Sequence, residues 1–470
     1  MKGFYLRPFE VRLFSVLSQL CPDAYVVGGF VRDLLLRPKI RRKDIDVVCG
    51  DSLLCAKKVA SALKDSHFVV LDKDRRIFRV VVSESFHLDF ASLQGGSIER
   101  DLERRDFTLN AIALSPRDFS LIDPLKGRKD IEKQRLRICS DDAFKDDPLR
   151  ILRAYSISAD CGLSWARHLS GLVFRDSHLL KKVAYERINQ ELNRLFSSAN
   201  THKWFLKMYE DGLFEILFPE ALSMESLDQG PYHHLDVLMH SFESLYYGEE
   251  LLRKIKYVYN IKDKQLLFDY LNDYIGDWQR IALLKWVIFW HDLGKPISRR
   301  PHKGRIVFYG HNRSGAIAIR KMMRRLKFSQ RQCKWAGLMV DMHLRPGDLT
   351  KAESQKAFYR FLRQCDGEDL AVFLLSWADA RATRGEKNPF VNFTRHRKRL
   401  IEFINTSLRI KKQPVLPKLI DGNEVMKITG LPPGKEVGKI LNEIKELQLA
   451  GKITTRKQAK AYVSAWGRGK

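Results

Sequence analysis

Two carboxylates two residues apart, Asp44 and Asp46, lead into the apolar pair Val47-Val48. On a strand, side chains at i and i+2 leave the same face, with Cα atoms about 6.5–7 Å apart. Two unpaired anions aimed at one spot repel, and one of them tends to protonate. A divalent cation removes the conflict, and carboxylate oxygens suit Mg²⁺, which also takes substrate phosphates as ligands. A pair of such ions activates an attacking hydroxyl and holds a leaving phosphate. The plainer alternative is a solvated strand end, each aspartate paired to Arg41, Arg42 or Lys43.

Other residues suit the same chemistry. Gly28-Gly29 follows the apolar run Ala24-Tyr25-Val26-Val27 and precedes a helical pattern, Phe30 to Leu36. Such a turn lets backbone N–H groups approach phosphates without a side-chain clash. Arg32, in the first turn of that helix, can reach a triphosphate, and Asp33 can orient it. Arg105 offers a fixed fork of donors for phosphate or sugar oxygens, or a surface ion pair with Asp101 or Glu103. Asn110 suits a ribose hydroxyl or a turn. Asp147 and Arg150 are spaced to share one helical face, where a simple salt bridge is the ordinary reading, and Arg153 extends that face. Asp89, in Leu88-Asp89-Phe90, is either a further carboxylate near the metal or a strand-end residue.

The elements that must position these groups change along the chain. The first ~140 residues read as mixed α/β, with strands at Ala24–Val27, Ile45–Val48, Phe68–Leu71, Ile77–Val82 and Phe86–Phe90. After Asp141 long amphipathic helical patterns take over, as in Leu149–Ile157 and Tyr185–Phe196. Gln413-Pro414-Val415-Leu416-Pro417 reads as a linker before a short, helical, basic tail.

With 470 residues, 44% of them hydrophobic, the chain is long enough for several cores. A net charge of +27 points to a polyanion partner, nucleic acid ahead of an acidic lipid surface. No run is apolar enough to span a membrane, and the N-terminus lacks the apolar core of a signal peptide. The seven cysteines are scattered, with no C-x-x-C pair, so free thiols and a cytoplasmic location are expected.

Gly28-Gly29-Phe30-Val31-Arg32-Asp33 followed by Asp44-Ile45-Asp46 resembles the head of the class II tRNA nucleotidyltransferases and bacterial poly(A) polymerases, within the polymerase-beta superfamily. Arg104-Arg105-Asp106-Phe107-Thr108-Leu109-Asn110-Ala111, Asp123-Pro124-Leu125, Asp146-Asp147-Pro148-Leu149-Arg150-Ile151-Leu152-Arg153 and Tyr185-Glu186-Arg187-Ile188 resemble the family's later motifs, in its order. The resemblance implies an α+β fold, with a polymerase-beta-like head, a mixed sheet with helices, followed by a mostly helical body. Asp44 and Asp46 would be catalytic and hold Mg²⁺. Gly28, Gly29, Arg32, Asp33, Arg105, Asp106, Asn110, Asp147, Arg150 and Arg153 would bind the nucleotide. Among these, Asp147 and Arg150 would read the base edge in place of a template, and Arg153 would share in choosing the base.

A second set, His240, His291-Asp292, His311, His343 and Asp379, combines imidazole with carboxylate, as sites for Mn, Fe, Ni, Zn or Mg do. Each histidine alone is more simply a packed or surface residue. Together they resemble the HD phosphohydrolase domain, which implies His240, His291, Asp292 and Asp379 as ligands of a second divalent metal, with His311 and His343 as further ligands. Such a site would hydrolyse a phosphoester, such as a cyclic or terminal phosphate on a damaged tRNA end. The tail resembles the family's small RNA-contacting region, with Lys411, Lys412, Arg456 and Lys457 as phosphate contacts.

The expected layout is therefore a head at 1–140, a nucleotide-selecting and RNA-binding neck at 141–230, an HD-type domain at 231–385 and a basic tail at 386–470. The expected activity is addition of nucleotides from CTP, ATP or both to the 3′ end of tRNA, in the cytoplasm, with no membrane and no obligate protein partner. Poly(A) synthesis is the alternative within the family. A metal phosphohydrolase with a non-catalytic head is the alternative outside it. The stretch Val70–Arg79 does not decide which nucleotides are added.

Overall fold

The sheet that carries the two aspartates is built from five short apolar runs near the N-terminus, the first three separated by helices and the last three by short connections. In the computed structural model, which describes residues 6–37, 44–83, 86–255, 257, 259–352, 354–388, 390–412, 417–449 and 451–468, these runs form β1 (Tyr25–Val27), β2 (Asp44–Cys49), β3 (His67–Asp72), β4 (Ile77–Ser83) and β5 (Phe86–Ser92). With β6 (Ala113–Leu114) and β7 (Leu121–Ile122) they make one seven-stranded sheet, ordered β3-β4-β5-β2-β1-β6-β7. Only β2 and β5 run parallel; the other neighbours are antiparallel. Arg41, Arg42, Lys43 and most of the expected linker, 413–416, lie outside the described residues.

Ile45 and Val47 of β2 are fully buried, while Asp44 and Asp46 stand on the open face. Helices α1 (Pro8–Leu20), α2 (Gly29–Leu36) and α3 (Ser52–Ala62) belong to the same layer system. Between α1 and α3 the expectation of free thiols fails: Cys21 and Cys55 form a disulfide, with Cα atoms 5.8 Å apart. The two residues are 34 positions apart, and only the packing of α1 on α3 brings them together. The other five cysteines are free.

The chain divides into two compact units, Met1–Leu217 and Phe218–Lys470. Beyond the sheet the first unit is helical, through α4 (Ile98–Glu103), α5 (Gly127–Glu132), α6 (Ala143–Asp146), α7 (Leu149–Cys161) and the helices Leu169–Asp176, Tyr185–Ser197 and Thr201–Glu210. The helix Tyr185–Ser197 buries Ile188, Leu192, Leu195 and Phe196 and packs along α7.

The second unit is almost wholly helical. Its centre is the helix Arg280–Trp290, apolar nearly all round and therefore enclosed by its neighbours Val237–Lys254, Gln330–Met342 and Asp369–Ala382. The last three helices, Gly422–Thr429, Lys435–Leu449 and Arg456–Arg468, share a small core of Ile420, Val425, Val437, Ile440, Ile444, Ile453, Ala459 and Val463. Among the described residues no helix is long and apolar enough to cross a membrane.

Candidate active site and metal-ligating cluster

Strand pairing gathers three carboxylates. Asp46 is the register partner of Asp89 on β5, and Asp44 that of His87. Asp44 Oδ1 lies 3.1 Å from His87 Nε2. Asp89 is mid-strand, not at a strand end, and the Arg79 guanidinium holds it through two bonds of 2.7 Å. Enclosure in the cleft holds the Asp46 carboxyl above its ordinary range, Arg105 opposes that, and the nearby Asp89 and Asp44 charges add to it. A cluster of hard oxygen donors that is strained by its own charge fits a divalent cation.

Gly28 closes one side of this cluster. Its φ of +71° is a left-handed conformation, and a Cβ there would sit 2.9 Å from Asp46 Oδ2. The same turn begins α2, and Gly28, Gly29 and Phe30 line the cleft, so the helix start with its unbonded N–H groups lies at the cleft wall.

The cleft, about 910 Å³, is also lined by Arg32, Asp33, Arg105, Asp106, Asn110, Asp147, Arg150 and Arg153, so the structure brings every nucleotide-site residue expected from the sequence to one place. They form a connected network. Arg32 donates to Asp33 at 2.9 Å and to Asn110 Oδ1 at 3.0 Å. Asn110 donates to Asp106 Oδ1 at 3.1 Å, and Arg153 reaches Asp106 Oδ2 at 3.0 Å. Burial pushes the Asp106 carboxyl up, but Arg153, Asn110 and the Phe107 N–H outweigh it and hold it below the ordinary range. Arg105 pairs with buried Asp101 at 3.0 Å. That ion pair, the plainer reading of Arg105, also fixes its guanidinium beside Asp46.

One local expectation is corrected. Asp147 and Arg150 do not share a helical face and do not pair. Pro148 breaks the helical pattern, leaving Asp147 extended (φ −147°, ψ 100°) between α6 and α7. Its carboxylate pairs with Arg187 at 2.8 Å, and Arg150 donates to the carbonyls of Arg104 (2.9 Å) and Ala143 (3.2 Å).

The second unit brings together all six of the expected His and Asp residues. His240 and His291 approach Asp379 Oδ1 at 3.2 and 3.6 Å. His291, His311 and His343 surround Asp292 at 3.2, 3.4 and 3.8 Å. His291, His311 and His343 each bond a carbonyl three residues back through Nδ1, at 2.8, 2.8 and 2.6 Å, so each Nε2 faces the cluster. The 3.2 Å contact is between His291 Nε2 and Asp292 Oδ2, and both atoms are buried. Burial lowers His240, and lowers His343 to about 3, which keeps these rings neutral. Burial pulls His291 down as well, but Asp292 and Asp379 hold it up at about 10. Imidazole nitrogens and carboxylate oxygens converging in this way fit a transition-metal ion.

Lys295 was not anticipated. Its buried ammonium lies 2.6 Å from Asp292 Oδ2, one helical step along from it. Gly294 makes that turn: a Cβ would fall 2.0 Å from the His311 carbonyl oxygen.

In the tail, three of the four expected phosphate contacts are already engaged. Lys411 holds Asp369 at 3.1 Å, Lys412 holds Asp263, and Arg456 holds Glu424 at 2.6 Å. Lys457 is exposed with no ion pair among the described residues.

Residues 24–95 and 85–137 match the poly A polymerase head domain, and 174–224 match a probable RNA and SrmB-binding site of polymerase A. An A-adding tRNA nucleotidyltransferase of Deinococcus radiodurans is 32% identical over 95% of this chain and 96% of its own. A CC-adding tRNA nucleotidyltransferase of Thermus thermophilus is 29% identical over 95% and 94%. Among solved structures, the Thermotoga maritima CCA-adding enzyme complexed with tRNA superposes with a TM-score of 0.62 at 22% identity, covering 98% of this chain and 96% of that one. The Bacillus stearothermophilus CCA-adding enzyme in complex with CTP gives 0.62 at 21%, covering 99% of each. At these identities the superpositions speak for the fold, a mixed-sheet head followed by a helical body. The Deinococcus radiodurans relative, 32% identical over nearly the whole of both chains, shows that the chain belongs to the class II tRNA nucleotidyltransferase family.

Proposed function

We propose that this chain adds C, A or both to the 3′ end of tRNA, without a template, by attack of the RNA 3′-hydroxyl on the α-phosphate of CTP or ATP. The observation that carries this reading is the cleft in which Asp44, Asp46 and Asp89 face Arg32, Arg105, Arg150 and Arg153. Asp44 and Asp46 would hold Mg²⁺, which supplies Lewis-acid activation of the hydroxyl and charge neutralisation on the leaving pyrophosphate. The Gly28-Gly29 turn and the start of α2 offer N–H groups to the triphosphate, and Arg32 and Arg105 offer guanidinium forks. Arg32 is held for this by Asp33 and Asn110, and Arg105 by Asp101. Asp147 accepts and Arg150 donates, so the two together can match the edge of one base and leave a wrong base with unpaired groups.

The test is incubation with tRNAs ending in the bare discriminator base, in C and in CC, with each NTP separately. Growth that stops at or before CCA supports the reading, and its extent names the product. Long homopolymer tails on unrelated RNA would replace it with poly(A) synthesis.

A second activity is proposed at His240, His291, Asp292, His311, His343 and Asp379. The convergence of buried imidazoles and carboxylates, His240, His291 and Asp379 on one side and His291, Asp292 and His343 on the other, supports a bound Mn, Ni, Fe or Zn ion there and hydrolysis of a phosphoester. Hydrolysis of a terminal phosphate that survives Asp46→Ala but not Asp292→Ala tests it.

A further inference from the structure

Nearly half of the chain's net positive charge lies in a tenth of its length. Leu293 to Val340 contains thirteen Lys or Arg residues and no Asp or Glu, in a chain of net charge +27. Within this stretch Arg300–His302 and Arg305–Val307 form a two-stranded antiparallel hairpin. Arg299, just before it, and Arg300, Lys303 and Arg305 on it are exposed and make no ion pair among the described residues. Arg313, one turn into the helix that follows, is the same. Such unneutralised charge on a short arm is what a phosphodiester backbone binds.

The hairpin also carries an aromatic group. Tyr309, just past its return strand, is 72% exposed and lies 6.1 Å from the His302 ring. An exposed ring beside a row of cations is a stacking platform for an unpaired base, which duplex RNA does not offer. The base of the arm touches the His/Asp cluster. The carbonyl of Phe308 accepts the His311 Nδ1–H at 2.8 Å, and the Lys295 ammonium lies 5.9 Å from the Phe308 ring centre.

We propose that this hairpin, with Arg313 and Tyr309, is a binding surface for single-stranded RNA on the second unit, set beside the His/Asp cluster. The proposal rests on the reading that RNA is the substrate of this chain, but assigns a contact outside both the nucleotide cleft and the tail.

The test uses the full chain, a labelled single-stranded RNA oligonucleotide, a duplex of the same length, and heparin as a polyanion without bases. In the triple variant Arg300→Gln/Lys303→Gln/Arg305→Gln, the slope of log Kd against log salt for the oligonucleotide falls by about 2, at about 0.7 per lost phosphate contact. Tyr309→Ala weakens the single strand about tenfold and leaves the duplex unchanged. Circular dichroism and the thermal midpoint check that both variants fold, and nucleotide incorporation at saturating RNA keeps the wild-type kcat. An unchanged Kd and slope in the triple variant overturns the proposal. So does a Tyr309→Ala variant that binds like wild type while heparin competes as well as RNA, which is plain polyanion adsorption. A wild-type chain that neither binds nor elongates tRNA overturns instead the reading on which the proposal rests.

Discussion

Gly28 and Asp46 stand so close across the first two strands that a methyl group on the glycine would lie 2.9 Å from a carboxylate oxygen. The glycine also has φ +71°, which an alanine adopts at a penalty of about 1 kcal/mol. Gly28→Ala is therefore expected to push the Asp46 carboxylate aside. A misplacement of about 1 Å at a reacting centre lowers rate by about 10²-fold. Single-turnover incorporation of labelled CTP or ATP reads the rate, and thermal unfolding should show a fall of only about 2–4 °C. A variant with the wild-type rate would mean that the carboxylate need not sit where β2 places it.

Asp46→Asn keeps the size and the hydrogen-bonding shape but removes the charge. Loss of a metal-binding carboxylate forfeits several kcal/mol of transition-state stabilisation, so incorporation should fall by at least about 10³-fold. RNA affinity should stay within about twofold, because the substitution removes no cation. Retained incorporation would move the chemistry away from β2.

The head was legible because its groups follow local rules. An i, i+2 pair on a strand and a Gly-Gly turn before a helix have one geometry wherever they occur, and β2 and α2 place Asp46 and Gly28 accordingly. Legibility ended where partners come from far along the chain. Pro148 extends Asp147 toward Arg187, forty residues on, so the spacing to Arg150 misled. The Cys21–Cys55 bond depends on two helices packing, and the internal pairing of Lys411 with Asp369 depends on a fold that composition does not describe. Lys295 carried a sequence signal, three residues from Asp292, but a lone lysine there reads as surface until its burial is seen.

Asp106 ties the head to α7 through Arg153 and holds Asn110 in place. Its folded-state pKa lies below the unfolded value of 3.8. Its contribution to stability is therefore fully present above about pH 4 and is lost as pH falls through the lower folded value. Asp106→Asn should be less stable than wild type at pH 7 by about 1–3 kcal/mol, the scale for a charged hydrogen-bonded group. That gap should close below pH 4. Urea unfolding of both proteins at pH 7 and across pH 4 to 2.5 reads the difference, and a gap that is constant with pH would contradict the ionised pair.

In the second unit, Asp292 balances His291 and Lys295 in a buried site. Asp292→Ala leaves the buried Lys295 ammonium without its nearest counterion, and breaking such a pair costs about 3–5 kcal/mol. Elemental analysis of the purified chain should show loss of Mn, Ni, Fe or Zn in this variant relative to wild type. Nucleotide incorporation by the head should be unaffected at temperatures where the variant is folded. Equal metal content in the two proteins would mean that the six residues are a packed polar cluster and nothing more.

Arg187 meets the proposed base-selecting residues through Asp147 alone. Its guanidinium holds Asp147 Oδ2 at 2.8 Å, while Asp147 Oδ1 accepts from the Leu149 N–H at 3.2 Å. Arg150 is tied separately, to the carbonyls of Arg104 and Ala143. The acceptor and the donor are thus aimed by different partners, and one can be loosened without the other. Arg187→Ala frees Asp147 to turn away, so a wrong base no longer meets a fixed acceptor. A hydrogen bond to a charged group is worth about 1.5–3 kcal/mol, so discrimination in kcat/KM against UTP and GTP should fall by about 10- to 100-fold. Incorporation of the preferred nucleotide should fall much less, because Asp46 and the triphosphate contacts are untouched. Arg187→Lys should recover part of the selectivity, since an ammonium can pair with the carboxylate but cannot fix its plane. Equal selectivity in Arg187→Ala and wild type would remove Asp147 from the choice of base and leave Arg150 and Arg153 to make it.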